Sequence, residues 1–217
     1  MGIAFFSEYV GGDKAGVKKI ISKLENRKIE TTLLASFLKS LKEQGKDFNF
    51  ESLKDFELEI KDVLNEEEKE QILKMSEENW EKQLPAVKNI VVEGVEKSFE
   101  ADNQEWHLLK HQGKIAGCFQ FERLPNGNLY WGTVNIADEL QGMRLGDGMF
   151  EIVKRRGEKE NIEATVSLRL PVGCYYVEKL GFVIDGFIDD YYETGEPFFT
   201  IRLNASKDKG GKGGERI

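Results

Sequence analysis

The chain has 217 residues, of which 40% are hydrophobic and 32% are charged, a composition typical of a globular protein with one sizeable core. Its formal net charge of −8 argues against nucleic acid as a partner, because neutralising phosphates requires a basic surface. No apolar run approaches the roughly 20 residues of a membrane span, and no signal peptide is predicted, so we expect a cytoplasmic protein that does not bind membranes.

The first fifty residues are predicted to form a helical extension of the main domain. Apolar residues recur there at three- and four-residue intervals, as in the stripe formed by Val17, Ile20 and Leu24. Gly45 and Lys46 interrupt the pattern, and no functional motif occurs in this region. The N-terminal extension, residues 1–50, therefore carries no predicted site.

The main domain is predicted to span residues 51–204 and to begin with a strand and two helices. Residues 56–60 alternate between apolar and acidic side chains, which indicates a strand. Asn65, followed by three glutamates, is a favourable helix start, and that helix should continue to about Leu84. Pro85 interrupts it, and residues 86–98 are predicted to form the second helix.

Three antiparallel strands are predicted next, over residues 106–110, 114–123 and 129–136. The segment Pro125-Asn126-Gly127 between the second and third strands is a strong hairpin signal. Hairpin connections make neighbouring strands antiparallel, so this part of the sheet is expected to be a meander.

A glycine-rich segment follows, with the sequence Gln141-Gly142-Met143-Arg144-Leu145-Gly146-Asp147-Gly148. Its glycines allow a tight turn and leave backbone N–H groups uncovered. A helix is predicted from about residue 145 to residue 158, and its N-terminus adds unpaired donors and the positive end of the helix dipole. The segment therefore predicts an anion site, most plausibly for a pyrophosphate.

The last elements are predicted to be a strand over residues 162–168, a short helix over 172–179, and strands over 182–192 and 198–203. Residues 205–217 are rich in glycine and lysine, and we expect a disordered tail. His107 and His111 have no third ligand nearby in the sequence, so no metal site is predicted and both are expected at the surface or a sheet edge.

This order of elements resembles the GNAT superfamily of acyl-CoA-dependent acyltransferases. Residues 136–151 look like the family's pyrophosphate loop, [QR]-x-x-G-x-[GA], with Gln141 in its first position and Gly146 in its last. Residues 174–182, Cys-Tyr-Tyr-Val-Glu-Lys-Leu-Gly-Phe, resemble its Tyr-x-Lys-Leu-Gly-Phe segment. The resemblance implies an α+β fold, a largely antiparallel mixed sheet flanked by helices, and acetyl-CoA as co-substrate bound by residues 141–147.

The sequence departs from the family pattern at two positions. Arg144 replaces the usual fourth glycine of the loop, where its side chain either contacts a phosphate or points to solvent. Val177 occupies the position of a tyrosine that in the family commonly protonates the leaving thiolate. Tyr176, one residue earlier, is the candidate substitute, and packing in the core is the alternative. Asp147 suits the helix dipole but adds negative charge near a phosphate, so a solvated side chain is expected.

The resemblance implies direct transfer of an acyl group from a CoA thioester to an amine. Residues 129–136 and 162–168 would separate at the glycine loop, and backbone N–H groups from Val134 to Ile136 would contact the thioester and pantetheine. Glu122 is the best candidate for the general base. The alternative acids are Glu105, Asp138 and Glu139.

The acceptor is expected to be a small-molecule or peptide amine, and the protein a monomer or a homodimer. Acidic residues gather in the last hairpin, including Asp185, Asp189 and Asp190. They either favour a cationic acceptor or protect an exposed sheet edge.

Two other functions compete with the acyltransferase. One is a catalytically silent acyl-CoA-binding or protein-interaction module on the same fold, which the loop substitution and the displaced tyrosine support. The other is a doubly wound nucleotide-binding protein, disfavoured because the glycine loop follows hairpin-linked strands rather than opening a parallel βαβ unit.

Overall fold

The computed structural model of the chain describes residues 56–141, 145–167, 169–170 and 180–205. Within these residues, seven strands form one sheet with the order β1-β2-β3-β4-β5-β7-β6. Only β4 and β5 pair in parallel, and every other neighbouring pair is antiparallel. The predicted α+β fold with a largely antiparallel mixed sheet is therefore confirmed.

The described helices and strands follow one another along the chain in the order that the sequence predicts. The strands are β1 (Glu57–Lys61), β2 (Gln104–His111), β3 (Lys114–Arg123), β4 (Leu129–Ile136), β5 (Ile162–Ser167), β6 (Val183–Ile188) and β7 (Phe198–Leu203). The helices are α1 (Glu66–Gln83), α2 (Lys88–Ser98) and α3 (Leu145–Gly157). Short 3-10 turns occupy Pro85–Val87 and Asp138–Leu140.

Helix α1 begins where the sequence places it, because Asn65 forms a capping box with Glu68. The Glu68 N–H donates to the Asn65 side-chain oxygen at 2.9 Å, and the Asn65 N–H donates to the Glu68 carboxylate at 3.0 Å. This reciprocal pair satisfies two donors that the first helical turn leaves without partners. Pro85 then starts the turn that separates α1 from α2.

The helices cover opposite faces of the sheet. One core cluster joins α1 and α2 to the first face of β2 and β3, and its members include Ile72, Val95, Trp106, Leu108 and Cys118. The other joins α3 to the opposite face, and its members include Phe119, Phe121, Trp131, Met149 and Val153. Alternating residues of β3 therefore serve two different layers, as the two-residue period of a strand requires.

A buried ion cluster fastens the start of α1 to the edge of the sheet. Lys61 and Lys110 each donate to the carboxylate of Glu68, which is 5% exposed, at distances of 2.9–3.0 Å. Burial raises the pKa of Glu68, but hydrogen bonds from Lys61, Asn65 and Lys110 outweigh burial and lower that pKa to about 2. The cluster thus joins β1, β2 and α1.

Strand β6 is shorter than predicted, ending at Ile188 rather than at residue 192. Tyr191 and Tyr192 leave the sheet and pack against Phe198, each with ring centroids 5.3 Å from its ring. The predicted N-terminal extension, the short helix at 172–179 and residues 206–217 of the tail lie outside the described residues. No described helix combines the length and apolar content needed to cross a membrane.

Candidate functional site

The two parallel strands at the centre of the sheet separate soon after they meet. Strands β4 and β5 pair only at Leu129 with Ile162 and at Tyr130 with Glu163, although the strands continue to Ile136 and Ser167. Backbone groups of β4 that face the gap beyond Tyr130 therefore have no ladder partner on β5. Unpaired backbone groups at such a gap can bind a ligand in place of a neighbouring strand.

A bulge in β4 lies beside this gap. Gly132 is opposite Gln120 and Asn135 is opposite Cys118, so Thr133 and Val134 together face a single residue of β3. The φ angle of Thr133 is 48°, which is rare for a β-branched residue. A bulge bends its strand and redirects the neighbouring groups. Such strain is often found at functional sites.

A cavity of about 230 Å³ occupies the gap on the face covered by α1 and α2. Its strand walls include Tyr130, Thr133, Val134, Thr165 and Ser167. Side chains from the two helices and from the end of the sheet complete it, among them Trp80, Gln83, Val91, Tyr192 and Phe198. The cavity therefore places a partly open, mostly apolar space against the unpaired edge of β4.

Neutral hydroxyl groups provide much of the cavity's polar surface. The hydroxyl groups of Tyr130 and Thr165 form a hydrogen bond of 2.8 Å. Burial raises the pKa of Tyr130 well above its usual range, and burial likewise raises the pKa of Tyr192. Both phenols keep their protons near neutral pH, so they can donate hydrogen bonds but are poor general bases.

The corner between β4 and α3 lies on the side of the sheet that α3 covers. Helix α3 begins at Leu145, so the N–H groups of its first turn have no partner within the helix. A β-carbon added at Gly146 would lie 3.4 Å from the Phe150 ring and 3.6 Å from Ile136 Cδ1. The backbone of Gly146 is therefore packed closely against the end of β4. Residues 142–144 of the predicted loop are outside the described residues.

The side chain of Gln141, an exposed residue, bonds to a buried polar network that the sequence pattern did not predict. Its Nε2 donates to Asn79 Oδ1 at 2.7 Å and to the Ile136 carbonyl at 3.3 Å. Asn79 Nδ2 donates to the same carbonyl and to Asn135 Oδ1, both at 3.1 Å, and Asn135 Nδ2 donates to Ser76 Oγ at 2.8 Å. The network fixes the start of the glycine loop to α1 and to the end of β4. Asn79 and Ser76, two small polar residues on the buried side of α1, were the available signal.

The carboxylate predicted as general base does not line the cavity. Glu122 lies near the end of β3, where its Oε1 accepts a hydrogen bond of 3.3 Å from Asn103 Nδ2. Of the alternatives, Glu105 bonds to His107 at 2.7 Å, and Asp138 forms an ion pair of 2.6 Å with Lys82. Glu139 is exposed. Within the described wall of the cavity, none of the four candidate acids is present.

The acids of the last hairpin are likewise engaged elsewhere. Asp185 accepts a hydrogen bond of 2.9 Å from Thr200 Oγ1, and Asp190 accepts one of 2.7 Å from the Gly195 N–H. The hairpin region contributes aromatic residues to the cavity, Tyr192 and Phe198. Of the two alternatives for these acids, a border of the acceptor cleft finds no support in the described lining, which contains no carboxylate of this hairpin.

His107 is buried, contrary to the prediction of a surface or edge position. It is 3% exposed, and its ring stacks on Phe119 with centroids 4.5 Å apart. Burial lowers its pKa more than the adjacent Glu105 carboxylate raises it. Strand β2 is covered by β1 at its edge, which the sequence pattern of β2 alone does not reveal. No group of three metal-ligating side chains occurs among the described residues.

Several solved structures with a similar fold are described as acetyltransferases or acyltransferases. A protein from Desulfovibrio desulfuricans assigned to the GNAT family of acetyltransferases matches with a TM-score of 0.55 and 17% identity over 69% of this chain and 98% of its own. An acyl-CoA N-acyltransferase from Pseudomonas aeruginosa matches with a TM-score of 0.52 and 17% identity, over 68% and 98%. No family model matches the chain, and no curated protein matches its sequence.

A third similar structure contains ligands. It is spermidine N-acetyltransferase from Vibrio cholerae in complex with CoA and spermine, with a TM-score of 0.51 and 14% identity, over 70% of this chain and 97% of its own. At such low identities the likeness concerns the fold. It covers nearly the whole of each of these proteins and about 70% of this chain.

Proposed function

Because the chain has the fold of the GNAT superfamily, we propose that it is an N-acyltransferase that moves an acyl group from acyl-CoA, in the first instance acetyl-CoA, to an amine. The observation that carries this proposal is the gap between β4 and β5, with a partly open cavity that extends toward α1 and α2 and the glycine corner of α3 on the other face. Two substrates can thus approach the same stretch of unpaired backbone from opposite sides.

In this proposal the coenzyme is held mainly by backbone. The first turn of α3, with residues 141–147, binds the diphosphate, because unpaired N–H groups and the helix dipole favour an anion there. The pantetheine then follows β4, where the N–H groups of Val134 and Ile136 are the proposed contacts. Gln141 acts as a positioning residue for the coenzyme site, because its side-chain amide donates to Asn79 and holds the loop against α1.

The transfer itself needs no covalent enzyme intermediate. The neutral amine attacks the thioester carbon, and N–H groups of the bulged part of β4 stabilise the developing oxyanion. Collapse of the tetrahedral species breaks the carbon–sulfur bond, and the thiolate takes a proton, for which Tyr176 is the proposed donor. We do not assign the amine's proton to Glu122, because its carboxylate lies outside the cavity. Water entering the cavity is the proposed first acceptor of that proton.

Addition of acetyl-CoA is expected to raise the melting temperature of the protein, whereas NAD and ATP at equal concentration are not. At a hundredfold excess over Kd, binding to the folded state alone contributes about 2.7 kcal/mol of stability. Thermal unfolding with each ligand measures the effect. An unchanged melting temperature at millimolar acetyl-CoA would refute the proposal.

A catalytically silent acyl-CoA-binding module is the second candidate. The observations that favour it are Arg144 in the glycine loop and the absence of a carboxylate from the described cavity wall. Release of free thiol from acetyl-CoA in the presence of a panel of amines separates the two functions. An enzyme releases thiol in proportion to a particular amine, whereas a silent module stabilised by acetyl-CoA releases none.

Substitution of Tyr176 by phenylalanine is expected to lower kcat by about a hundredfold or more while leaving acetyl-CoA binding unchanged, because a positioned general acid contributes roughly 10²- to 10⁴-fold. The neighbouring variant Tyr175→Phe is the matched control and should retain activity. Steady-state thiol release and the thermal shift together check the prediction. Equal kcat values for Tyr176→Phe and the wild type would remove Tyr176 from the mechanism.

A further inference from the structure

The cavity beside β4 also indicates which amines the protein accepts. We propose that the acceptor is a monoamine attached to an apolar or aromatic body, rather than a polyamine or another polycation. This inference rests on the proposed function, and it specifies the substrate class of the same site. It differs from the expectation of a cationic acceptor that the acidic last hairpin suggested.

The cavity is the compartment of the acceptor because of the face on which it lies. Its strand wall spans the gap and includes Trp131 and Ala164 from the α3 face, but its helical walls come from α1 and α2, and the glycine corner belongs to α3. Coenzyme bound at that corner would reach the gap from the α3 side. The space between the strands and α2 then remains for the second substrate, directly beside Thr133 and Val134.

The described lining of the cavity contains no aspartate, glutamate, lysine, arginine or histidine. Aliphatic residues such as Val91 and Val134 line it together with five aromatic residues, Trp80, Tyr130, Trp131, Tyr192 and Phe198. Its polar groups are uncharged, and the Tyr130 and Thr165 hydroxyls already bond to each other. Two of the acids near the cavity's aromatic end, Asp185 and Asp190, accept hydrogen bonds from Thr200 and Gly195.

An uncharged cavity wall favours an amine with one nitrogen over an amine that carries further ammonium groups. The reacting nitrogen enters the chemistry as a neutral amine, which hydroxyl groups can hold by hydrogen bonds. A second, unreactive ammonium would lose its hydration without gaining a carboxylate, and burial of an unpaired charge is strongly unfavourable. Cation–π contacts with the aromatic faces would offset part of the lost hydration free energy of this second ammonium. The described lining offers it no carboxylate with which to form an ion pair.

The size of the cavity also suits a small apolar body. A dry cavity of about 150 Å³ in another protein admits benzene. The cavity here, about 230 Å³, therefore has room for one aromatic ring or a short alkyl chain with its amine.

Two amines of equal length test the inference most directly. n-Hexylamine and 1,5-diaminopentane have the same number of heavy atoms, and they differ in a terminal methyl group against a terminal ammonium. We expect kcat/KM for hexylamine, measured by thiol release at saturating acetyl-CoA, to exceed that for the diamine by about tenfold or more. Phenethylamine should be accepted at least as well as hexylamine. A higher kcat/KM for the diamine would overturn the inference.

A variant at the mouth of the cavity should reverse part of this preference. Gln83 is exposed and lines the cavity, so Gln83→Glu supplies the missing carboxylate without disturbing the core. We expect the ratio of diamine to hexylamine kcat/KM to rise by at least about threefold. Gln112→Glu, an exposed substitution outside the described lining that adds the same charge, should leave the ratio unchanged. If the ratio of diamine to hexylamine kcat/KM were the same in Gln83→Glu and Gln112→Glu, the assignment of this cavity to the acceptor amine would be wrong.

A binding measurement keeps the inference testable even in a silent protein. Trp80 and Trp131 lie in the cavity wall, so their fluorescence in the presence of CoA reports amine binding. Tighter binding of hexylamine than of diaminopentane supports the inference, and equal or weaker binding of hexylamine, or no binding at millimolar concentration, overturns it. Failure of acetyl-CoA to stabilise the protein refutes the proposed function itself, whereas stabilisation together with a diamine preference refutes the acceptor class alone.

Discussion

Substitution of Gly146 by tryptophan is expected to abolish acetyl-CoA binding, with an increase in Kd of about a hundredfold or more. The corner at Gly146 has room for little beyond a β-carbon, because Phe150 and Ile136 lie within 3.6 Å of that position. An indole must project from the corner and cover the N–H groups of the first turn of α3 that the diphosphate is proposed to use. The thermal shift produced by acetyl-CoA measures the loss.

Gly146→Ala is the matched control for this experiment. Its methyl group would make ordinary van der Waals contacts, so it should keep most of the thermal shift. Gly146→Glu is a second variant, which repels a diphosphate by charge rather than by bulk. A folded Gly146→Trp or Gly146→Glu protein with an undiminished shift would show that the diphosphate binds elsewhere.

Substitution of Glu68 by glutamine is expected to lower the free energy of unfolding at pH 7 by about 3 kcal/mol. A fall in pKa from 4.5 to about 2 corresponds to roughly that free energy, and Glu68 is almost fully buried between two lysines. Loss of the charge leaves Lys61 and Lys110 with Glu59 alone. Chemical denaturation of both proteins gives the difference.

Glu66→Gln is the control, because Glu66 is also in the first turn of α1 but its side chain is 85% exposed and pairs only with Lys69. Its effect should be below about 1 kcal/mol, as for other surface ion pairs. Equal losses of stability in the two variants would mean that the buried cluster contributes no more than a surface ion pair in the same helical turn does.

The pH dependence of the Glu68 effect has a defined sign. The folded-state pKa of Glu68 is depressed, so its contribution is complete above the unfolded-state pKa and is lost as pH falls through the folded-state value. The difference in unfolding free energy between wild type and Glu68→Gln should therefore be constant from pH 7 to about pH 5 and shrink toward pH 2. A difference that stays constant down to pH 2 would contradict the low pKa of Glu68.

Together, these features describe a site made mostly of backbone and neutral side chains. The proposed anion site is a helix terminus, the proposed oxyanion site is a bulged strand, and the described cavity wall contains no charged side chain. An arrangement of this kind stabilises charge that develops during the reaction rather than charge on the bound substrates. It suits the reaction of a neutral amine with a neutral thioester.

The sequence by itself determined the order of the described elements. Asn65, with Glu68 three residues later, specified the start of α1, and Pro85 specified the break between α1 and α2. The turn before Leu129 and the apolar spacing of residues 145–157 placed β4 and α3. These signals are local, since each acts through hydrogen bonds and backbone restrictions within a few residues.

The tertiary structure alone decided which side chains meet at the site. Asn79 and Gln141 are 62 positions apart and bond only because α1 packs on the end of β4. The bulge at Thr133 depends on its register with β3, and Glu122, chosen as a base from the sequence, lies outside the cavity. His107 is buried because another strand and Phe119 cover it. Contacts of this kind depend on long-range packing, and periodicity reveals only that a residue has a buried face, not which partner covers it.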